Sequence, residues 1–387
     1  MIIVQKYGGS SVADNDKLLN VALKVKKCVE EGNSVVVVVS AQGKTTDLLI
    51  SKARSISKDI SDREMDVLLA TGEQQSIALL VMTLNKLGIS AISLTGEQAG
   101  IFTVNGHLNA RIDEIRPYRI FDELDKGNVV VVAGFQGVDD IGDITTLGRG
   151  GSDTTAVALA YALDAHRCDI YSDVDGIYTA DPRIVDKAIK LSSIEYDVML
   201  ELASLGAKVL NNRAVELAKK YNVKLTSSGS FSDEEGTKVE NIGFESAVVT
   251  GFTADKDVTV VTIYNVGDGY SVFSMLAEKQ IPVDVIGQSM GLKEVSFTIK
   301  NDKIDLVKEC LGTDYEVKFT KECGKVSLVG SGMLNKPEVA KSIYEALFES
   351  NIAIKLISSS EIKFSVIVDS KDVDMALNSI HNKIVNS

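Results

Sequence analysis

Up to Ser230 the chain alternates short apolar runs with amphipathic stretches. Ile2 to Val4, Val35 to Val39, Ala91 to Leu94, Val129 to Val132 and Asp169 to Tyr171 predict strands. Between the first two, Leu18, Leu19, Ala22, Val25, Cys28 and Val29 recur at helical spacing, while Lys24, Lys26, Lys27 and Glu30 fill the other face. The Val35 to Val39 run is apolar at every position, which suits a strand covered on both faces. The order is therefore that of a three-layer α/β domain with a mainly parallel sheet. Ligands of such sheets bind beyond the carboxyl ends of the strands, so chemistry is sought in the loops that follow these runs.

From Gly229 to Gly243 the texture turns polar, acidic and glycine-rich, and predicts an exposed hairpin or an interdomain connection. Beyond it, Val258 to Tyr264, Val272 to Glu278, Val283 to Val285 and Glu294 to Ile299 predict strand, helix, strand, strand. Lys325 to Val329, Val339 to Ser350, Ile354 to Ser358 and Ile362 to Val368 repeat that order, which is a weak internal repeat of two α+β units.

The length, 387 residues, fits two or three domains, and 45% hydrophobic with 25% charged residues is globular usage. A net charge of −13 disfavours nucleic acid or an anionic membrane as partner, so any phosphate site has to be built locally. Cys28, Cys168, Cys310 and Cys323 are scattered without metal or disulfide spacing, which points to a reducing compartment. The start, MIIVQKYGG, lacks a signal-peptide pattern, and a cytoplasmic location is expected. His107, His166 and His381 form no ligand pair and read as surface or loop residues.

Four segments carry candidate chemistry. Lys6-Tyr7-Gly8-Gly9-Ser10-Ser11 follows the first strand and can bring backbone N–H groups and a lysine to a phosphate. Gly43-Lys44-Thr45 ends like a P-loop, but Val38 stands where that motif needs glycine, so Ser40 to Asp47 reads as a polar loop for a substrate carboxylate or amine. Thr145 to Asp153 places Arg149 among glycines before a helix over Thr154 to Leu163; arginine can grip a carboxylate, and Ser152 or Asp153 can cap the helix. Ser172 to Arg183 reads as a long loop suited to a nucleotide, its acids lacking the calcium-loop pattern. Glu73 is expected to head a helix and to offer a carboxylate to a cation. No GxGxxG follows the first strand, which argues against a dinucleotide fold.

Together KYGGSSV, VVSAQGKTTDLL, Gly72-Glu73, LGRGGSDTTA, YSDVDGIYTADPR and GAKVL resemble, in content and order, the aspartate kinases of the amino-acid kinase superfamily. The resemblance implies an amino-acid-kinase domain over 1–246 and tandem ferredoxin-like ACT domains over 247–387. The first ACT unit, about 257–318, would be inserted in the second, 247–256 plus 319–387. It also implies ATP and Mg2+, L-aspartate as substrate, lysine or threonine as effector, and a homodimer or higher homo-oligomer. Lys6, Arg149 and Asp153 would be catalytic. Lys6, Tyr7, Gly8, Gly9, Ser172, Asp173, Tyr178, Asp181, Arg183 and Lys208 would meet the nucleotide. Ser40, Thr45, Thr46, Asp47, Glu73, Arg149, Gly150, Gly151 and Ser152 would meet aspartate, Glu73 taking the ammonium and Arg149 a carboxylate. Asp268, Asp284, Val285, Gln288, Ile352, Ile354, Ser359 and Glu361 would meet the effector. The usual Asn-x-Pro-Gly turn of the first ACT unit is replaced by Asn265-Val266-Gly267-Asp268-Gly269, which leaves the choice between lysine and threonine open.

Overall fold

The structure is a computed structural model describing the chain except residues 105, 208, 242–248, 268, 290–292, 332, 334–335 and 386–387. Its elements run β1 (Ile2–Tyr7), α1 (Asn15–Glu30), β2 (Ser34–Val39), α2 (Thr45–Ile56), α3 (Asp62–Lys86), β3 (Ala91–Leu94), β4 (Ile101–Val104) and β5 (Arg111–Ile115). There follow α4 (Tyr118–Asp125), β6 (Val129–Ala133), β7 (Gln136–Val138), β8 (Ile144–Thr146), α5 (Gly151–Ala162) and β9 (Arg167–Ser172). Next come β10 (Ser193–Ile194), α6 (Tyr196–Ser204), α7 (Asn212–Tyr221), β11 (Leu225–Gly229) and β12 (Thr237–Val239). The remainder is β13 (Gly251–Tyr264), α8 (Tyr270–Glu278), β14 (Ile286–Ser289), β15 (Glu294–Ile299), α9 (Ile304–Leu311), β16 (Glu316–Val329), α10 (Pro337–Glu349), β17 (Leu356–Ser359), β18 (Lys363–Asp369) and α11 (Val373–Val385).

Two compact units result: residues 1–177, 190–200 and 208–242, and residues 178–189, 201–207 and 243–387. In the first, an eight-stranded sheet has the order β10-β12-β11-β9-β1-β2-β6-β3 and is parallel except where β11 meets β12. The expected three-layer arrangement is present. Ile3, Val35, Val37, Val39 and Val131 pack against Leu18, Val25, Leu80 and Leu84 of α1 and α3, while α5 packs against β1, β2 and β9. Burial on both faces explains why these strands read as unbroken apolar runs.

The registers decide where chemistry can happen. Tyr7 lies opposite Val39 and Tyr171, and Val39 opposite Ala133, so four parallel strands finish at one level and release their loops together. Helix α3 is long and apolar enough to cross a membrane by length and composition, but it buries Asp66 and Glu73, so it reads as a core helix. The polar stretch from Gly229 does form a hairpin, β11–β12, whose turn exposes Phe231 and Asp233 to Glu235, while Ser230 and Thr237 are buried at its base.

The second unit holds one antiparallel sheet of order β14-β15-β13-β16-β18-β17. The two expected repeats share two strands: β13 and β16 are 14 residues each and pair from Gly251–Val329 to Tyr264–Glu316, with register shifts between Asp255 and Val260. One core, with Val261, Ile263, Val272, Leu276 and Val307, lies under one half. Another, with Phe252, Val326, Leu347, Val366 and Ile380, lies under the other. The strand expected at Val283 to Val285 instead runs Ile286–Ser289; Val285 is tucked into a small apolar cluster with Val258, Val260, Cys323 and Ile367.

Candidate active site

Lys6, one residue before the end of β1, is nearly buried, and its Nζ lies 2.6 Å from Asp153 Oδ1. The contact is an ion pair by distance without the alignment of a hydrogen bond. Gly9 follows where no side chain fits, because a Cβ would stand 2.5 Å from the Ala41 carbonyl. Ser40 N donates to Tyr7 O, Gly43 N to Gly9 O, and Gly8 N to Tyr171 O, so the loops after β1, β2 and β9 are tied together. Tyr7 itself is fully buried with its ring stacked on Tyr171, which leaves only its backbone for a ligand.

Asp153 does not cap α5. The helix starts at Gly151, three residues earlier than the spacing suggests, and its N-cap is Gly150 in the left-handed region (φ 71°). A side chain there would strike Asn211 Nδ2 at 2.0 Å, so glycine is required. Asp153 and Ser152, both buried, sit in the first turn, which lets Asp153 face Lys6 instead of the helix end. Arg149 is exposed, and its carbonyl accepts from Asn211 Nδ2.

Glu73 lies in the middle of α3 rather than at its head. It is buried, its Oε1 accepts from Ala41 N at 3.0 Å, and its Oε2 has no hydrogen-bond partner. Burial pushes its pKa up to about 7 despite the Ala41 bond. Gly72 permits this approach, since a Cβ there would lie 2.8 Å from Ala41 Cβ. Of the residues expected in a polar loop, Ser40 remains in one, whereas Thr45, Thr46 and Asp47 form the first turn of α2; Thr45 Oγ1 donates to Gln42 O.

The residues assigned to a nucleotide divide between the units. Ser172 ends β9 and its carbonyl accepts from Ser230 N, while Asp173 is exposed. Tyr178, Asp181 and Arg183 belong to the second unit, where Asp181 takes both Nε (2.9 Å) and Nη2 (2.7 Å) of Arg183. Lys208 lies outside the described residues, as does Asp268 of the effector set. Asp284 pairs with the buried Lys325, and Gln288 lies on β14. Ile352 is buried and Ile354 packs beside it in one core, while Ser359 ends β17 and Glu361 is exposed.

Several supporting residues escaped the sequence reading. Asp66 is fully buried and accepts from His107 Nδ1, Leu108 N and Thr146 Oγ1. It stands two turns before Glu73 on the same apolar helix, a spacing that could have flagged it. Arg213 donates to the carbonyls of Leu147 and Ala110, holding the loop that carries Arg149. His381 is not a surface residue: it is buried in α11, and burial lowers its pKa. His107, Asp139 and Asp143 have ligand atoms within 4.8 Å of one another, but His107 is already tied to Asp66 and Asp143 to Arg63. A cavity of about 170 Å³ lined by Gln5, Lys24, Arg167, Tyr171, Ser232 and Glu234 takes in none of the residues expected to bind ligands.

Glycine backbone amides, a buried lysine and a helix start at the end of a parallel sheet form a setting for charge that develops on a phosphoryl group. A buried carboxylate on α3, bonded through one oxygen to the loop after β2 and with its other oxygen unpartnered, suits an ammonium.

The chain matches the model of the amino acid kinase family over residues 1–226 and an ACT domain model over residues 326–384. It is 49% identical over 394 residues to an aspartokinase of Geobacillus stearothermophilus, covering 98% of this chain and 96% of that one. Among solved structures it is similar to E. coli aspartokinase III in complex with aspartate and ADP in the R-state, with a TM-score of 0.84, 25% identity and full coverage of both chains. It is similar also to the same E. coli enzyme in complex with lysine and aspartate in the T-state, with a TM-score of 0.81, 26% identity and 99% coverage of each chain.

Proposed function

The chain belongs to the amino acid kinase family and, within it, to the aspartokinases, and from that premise we propose that it transfers the γ-phosphoryl of ATP to the side-chain carboxylate of L-aspartate. The product is 4-phospho-L-aspartate, and the step opens the synthesis of lysine, threonine and methionine. The observation that carries this reading is the buried Lys6–Asp153 pair at the mouth of the glycine loop. Phosphoryl transfer depends on in-line positioning and charge neutralisation. The acceptor carboxylate is already ionised at neutral pH, so the site needs a cation more than a base.

Lys6 neutralises charge on the transferred group, Asp153 orients Lys6, and the side-chain-free Gly8–Gly9 turn lets phosphate oxygens approach the backbone. Glu73 Oε2 takes the substrate ammonium, and Arg149 grips a carboxylate. Ser40, Thr45, Thr46, Asp47, Gly150, Gly151 and Ser152 complete the aspartate pocket. Ser172, Asp173, Tyr178, Asp181, Arg183 and Lys208 serve the nucleotide. Among the described residues Asp153 is the one carboxylate paired with Lys6, and a single oxygen ligand fits a magnesium that would be held chiefly by phosphates rather than by a protein cage. When bound with the nucleotide, that ion screens the phosphate charges.

Lysine or threonine acts as effector on the ACT-bearing unit, through Asp284, Val285, Gln288, Ile352, Ile354, Ser359 and Glu361 together with Asp268. The E. coli relative's complex with lysine supports an amino acid in that role. The enzyme works in the cytoplasm as a homodimer or larger homo-oligomer. Hydroxamate trapping of the acyl phosphate with ATP and magnesium tests the reading. Product is expected with aspartate and not glutamate, falling when lysine or threonine is added. A folded chain that gives no hydroxamate from aspartate would overturn it.

A further inference from the structure

The segment Tyr178–Ile189 is built into the core of the unit that bears the ACT match. Ala180 and Val185 are buried among Ile343, Leu347, Ile352, Leu377 and Ile380. Its backbone is joined to the first residues of β13, where Phe252 N donates to Thr179 O. Two polar side chains of α11 complete the attachment. His381 Nε2 lies 2.9 Å from Thr179 Oγ1, which also accepts from Ile189 N at 2.9 Å. Asn378 Nδ2 donates to Ile184 O at 2.8 Å. His381 is 1% exposed, packs against the Phe252 ring and has its Nδ1 without a partner. Burying such a group in an aliphatic core costs free energy that an apolar side chain would not. What the histidine supplies in return is direction, because a hydrogen bond fixes where Thr179 sits and packing alone does not. The two anchors, at Thr179 and Ile184, bracket Asp181 and Arg183, and Thr179 adjoins Tyr178.

We propose that His381 and Asn378 are positioning residues for the nucleotide, and that ADP and ATP affinity follows the two hydrogen bonds by which α11, packed in one core with the proposed effector residue Ile352, holds Thr179 and Ile184. This rests on the reading above in which Tyr178, Asp181 and Arg183 meet the nucleotide. A shift of α11 on effector binding is then transmitted to the nucleotide segment through two side-chain bonds rather than through the aspartate pocket.

The test measures ADP binding to the full-length chain by calorimetry, beside separate KM values for ATP and aspartate. His381→Leu and Asn378→Ala are each expected to weaken ADP roughly tenfold, the worth of one buried hydrogen bond, and to raise the ATP KM alike. The aspartate KM should move less than about twofold. His381→Gln, which returns an amide near the Nε2 position, should recover most of the affinity. Ile380→Val thins the same core without touching either bond, and should lower Tm while leaving ADP affinity intact. Unchanged ADP binding in both first variants overturns the inference, and so does an equal loss in Ile380→Val, which would make the role merely structural. If His381→Leu does not fold, Asn378→Ala, at a half-buried position, carries the test alone. A wild-type chain that binds no ADP would sink the kinase reading and this inference together, whereas unchanged variants of a chain that does bind ADP sink only the inference.

Discussion

Each unit buries a lysine against a carboxylate, and the two pairs differ at the acidic end. Lys6 and Asp153 are 11% and 12% exposed at the side chain, whereas Lys325 is 8% exposed and its partner Asp284 45%. In the first pair neither charge can turn to water, so removing one strands the other in a poorly solvated place. In the second, Asp284 can rehydrate if Lys325 is lost. A closed pair beside a glycine turn suits a third, anionic group, whereas a half-open pair already has water as its third partner.

Breaking the closed pair should have the largest effect. Lys6→Met is expected to lower kcat about a thousandfold, as removal of a principal electrostatic donor does. It should also cost about 3 kcal/mol of stability in urea melts, because Asp153 is left buried and unpaired. The double variant Lys6→Met with Asp153→Asn should regain stability but not activity. A single variant active within about tenfold of wild type would remove Lys6 from the mechanism.

Glu73 sharpens the comparison, being a buried carboxylate with no cationic partner among the described residues. Its folded pKa, about 7, stands above the ordinary 4.5, so the folded state binds this proton more tightly than the unfolded chain. Stability from this group is therefore lost as pH rises from 4.5 to 7 and is level above that. Glu73→Gln should accordingly be more stable than wild type by up to about 3 kcal/mol above neutral pH, with no difference in acid. The same change should raise the aspartate KM about a hundredfold, since the ammonium loses an ionic partner. In wild type that KM should climb roughly tenfold per pH unit below neutrality, as Glu73 takes up its proton. A flat KM profile between about pH 5.5 and 8 would show that Glu73 does not meet the ammonium.

Gly150 comes next. Gly150→Ala forces an L side chain into a left-handed turn against Asn211, at an expected cost of about 1–3 kcal/mol in Tm-derived stability. Because Arg149 and Asp153 flank that turn, kcat/KM for aspartate should fall with it. Pairing the change with Asn211→Gly should relieve part of both losses.

How far the residues revealed this arrangement depends on which physics wrote each feature. Strands buried on both faces announce themselves as apolar runs, so β1, β2, β3, β6 and β9 were legible to within a few residues. Glycines and arginine beside a helix likewise marked the loop before α5. Helix boundaries inside polar stretches were not legible: α2 begins at Thr45 and α3 continues through Thr71 and Gly72, because tertiary packing against Ala41 outweighs local turn propensity. The long shared strands β13 and β16 were hidden for another reason. Charged residues at Asp255 to Asp257 and Lys321 to Glu322 break the apolar pattern in mid-strand, at the register shift, and so read as ends. Arg213 and His381 were beyond pattern altogether, since their partners lie tens to hundreds of residues away.

The smallest effect is expected from the half-open pair. Burial pushes the Asp284 carboxyl up, but Lys325 outweighs it and holds the group below its ordinary range. Asp284 therefore adds stability that is present above its unfolded pKa and is lost as pH falls through its folded one. With nearly half of Asp284 in solvent, that contribution is screened, and Lys325→Met should change stability by under about 1 kcal/mol. The buried end gains from the exchange, because a methionine in place of a desolvated ammonium removes the larger part of the penalty. Kinetic constants without effector should stay within about twofold of wild type, as the substitution is confined to the regulatory sheet. A loss of several kcal/mol, measured by urea melts at neutral pH, would mean that Asp284 does not rehydrate and that the two pairs are alike.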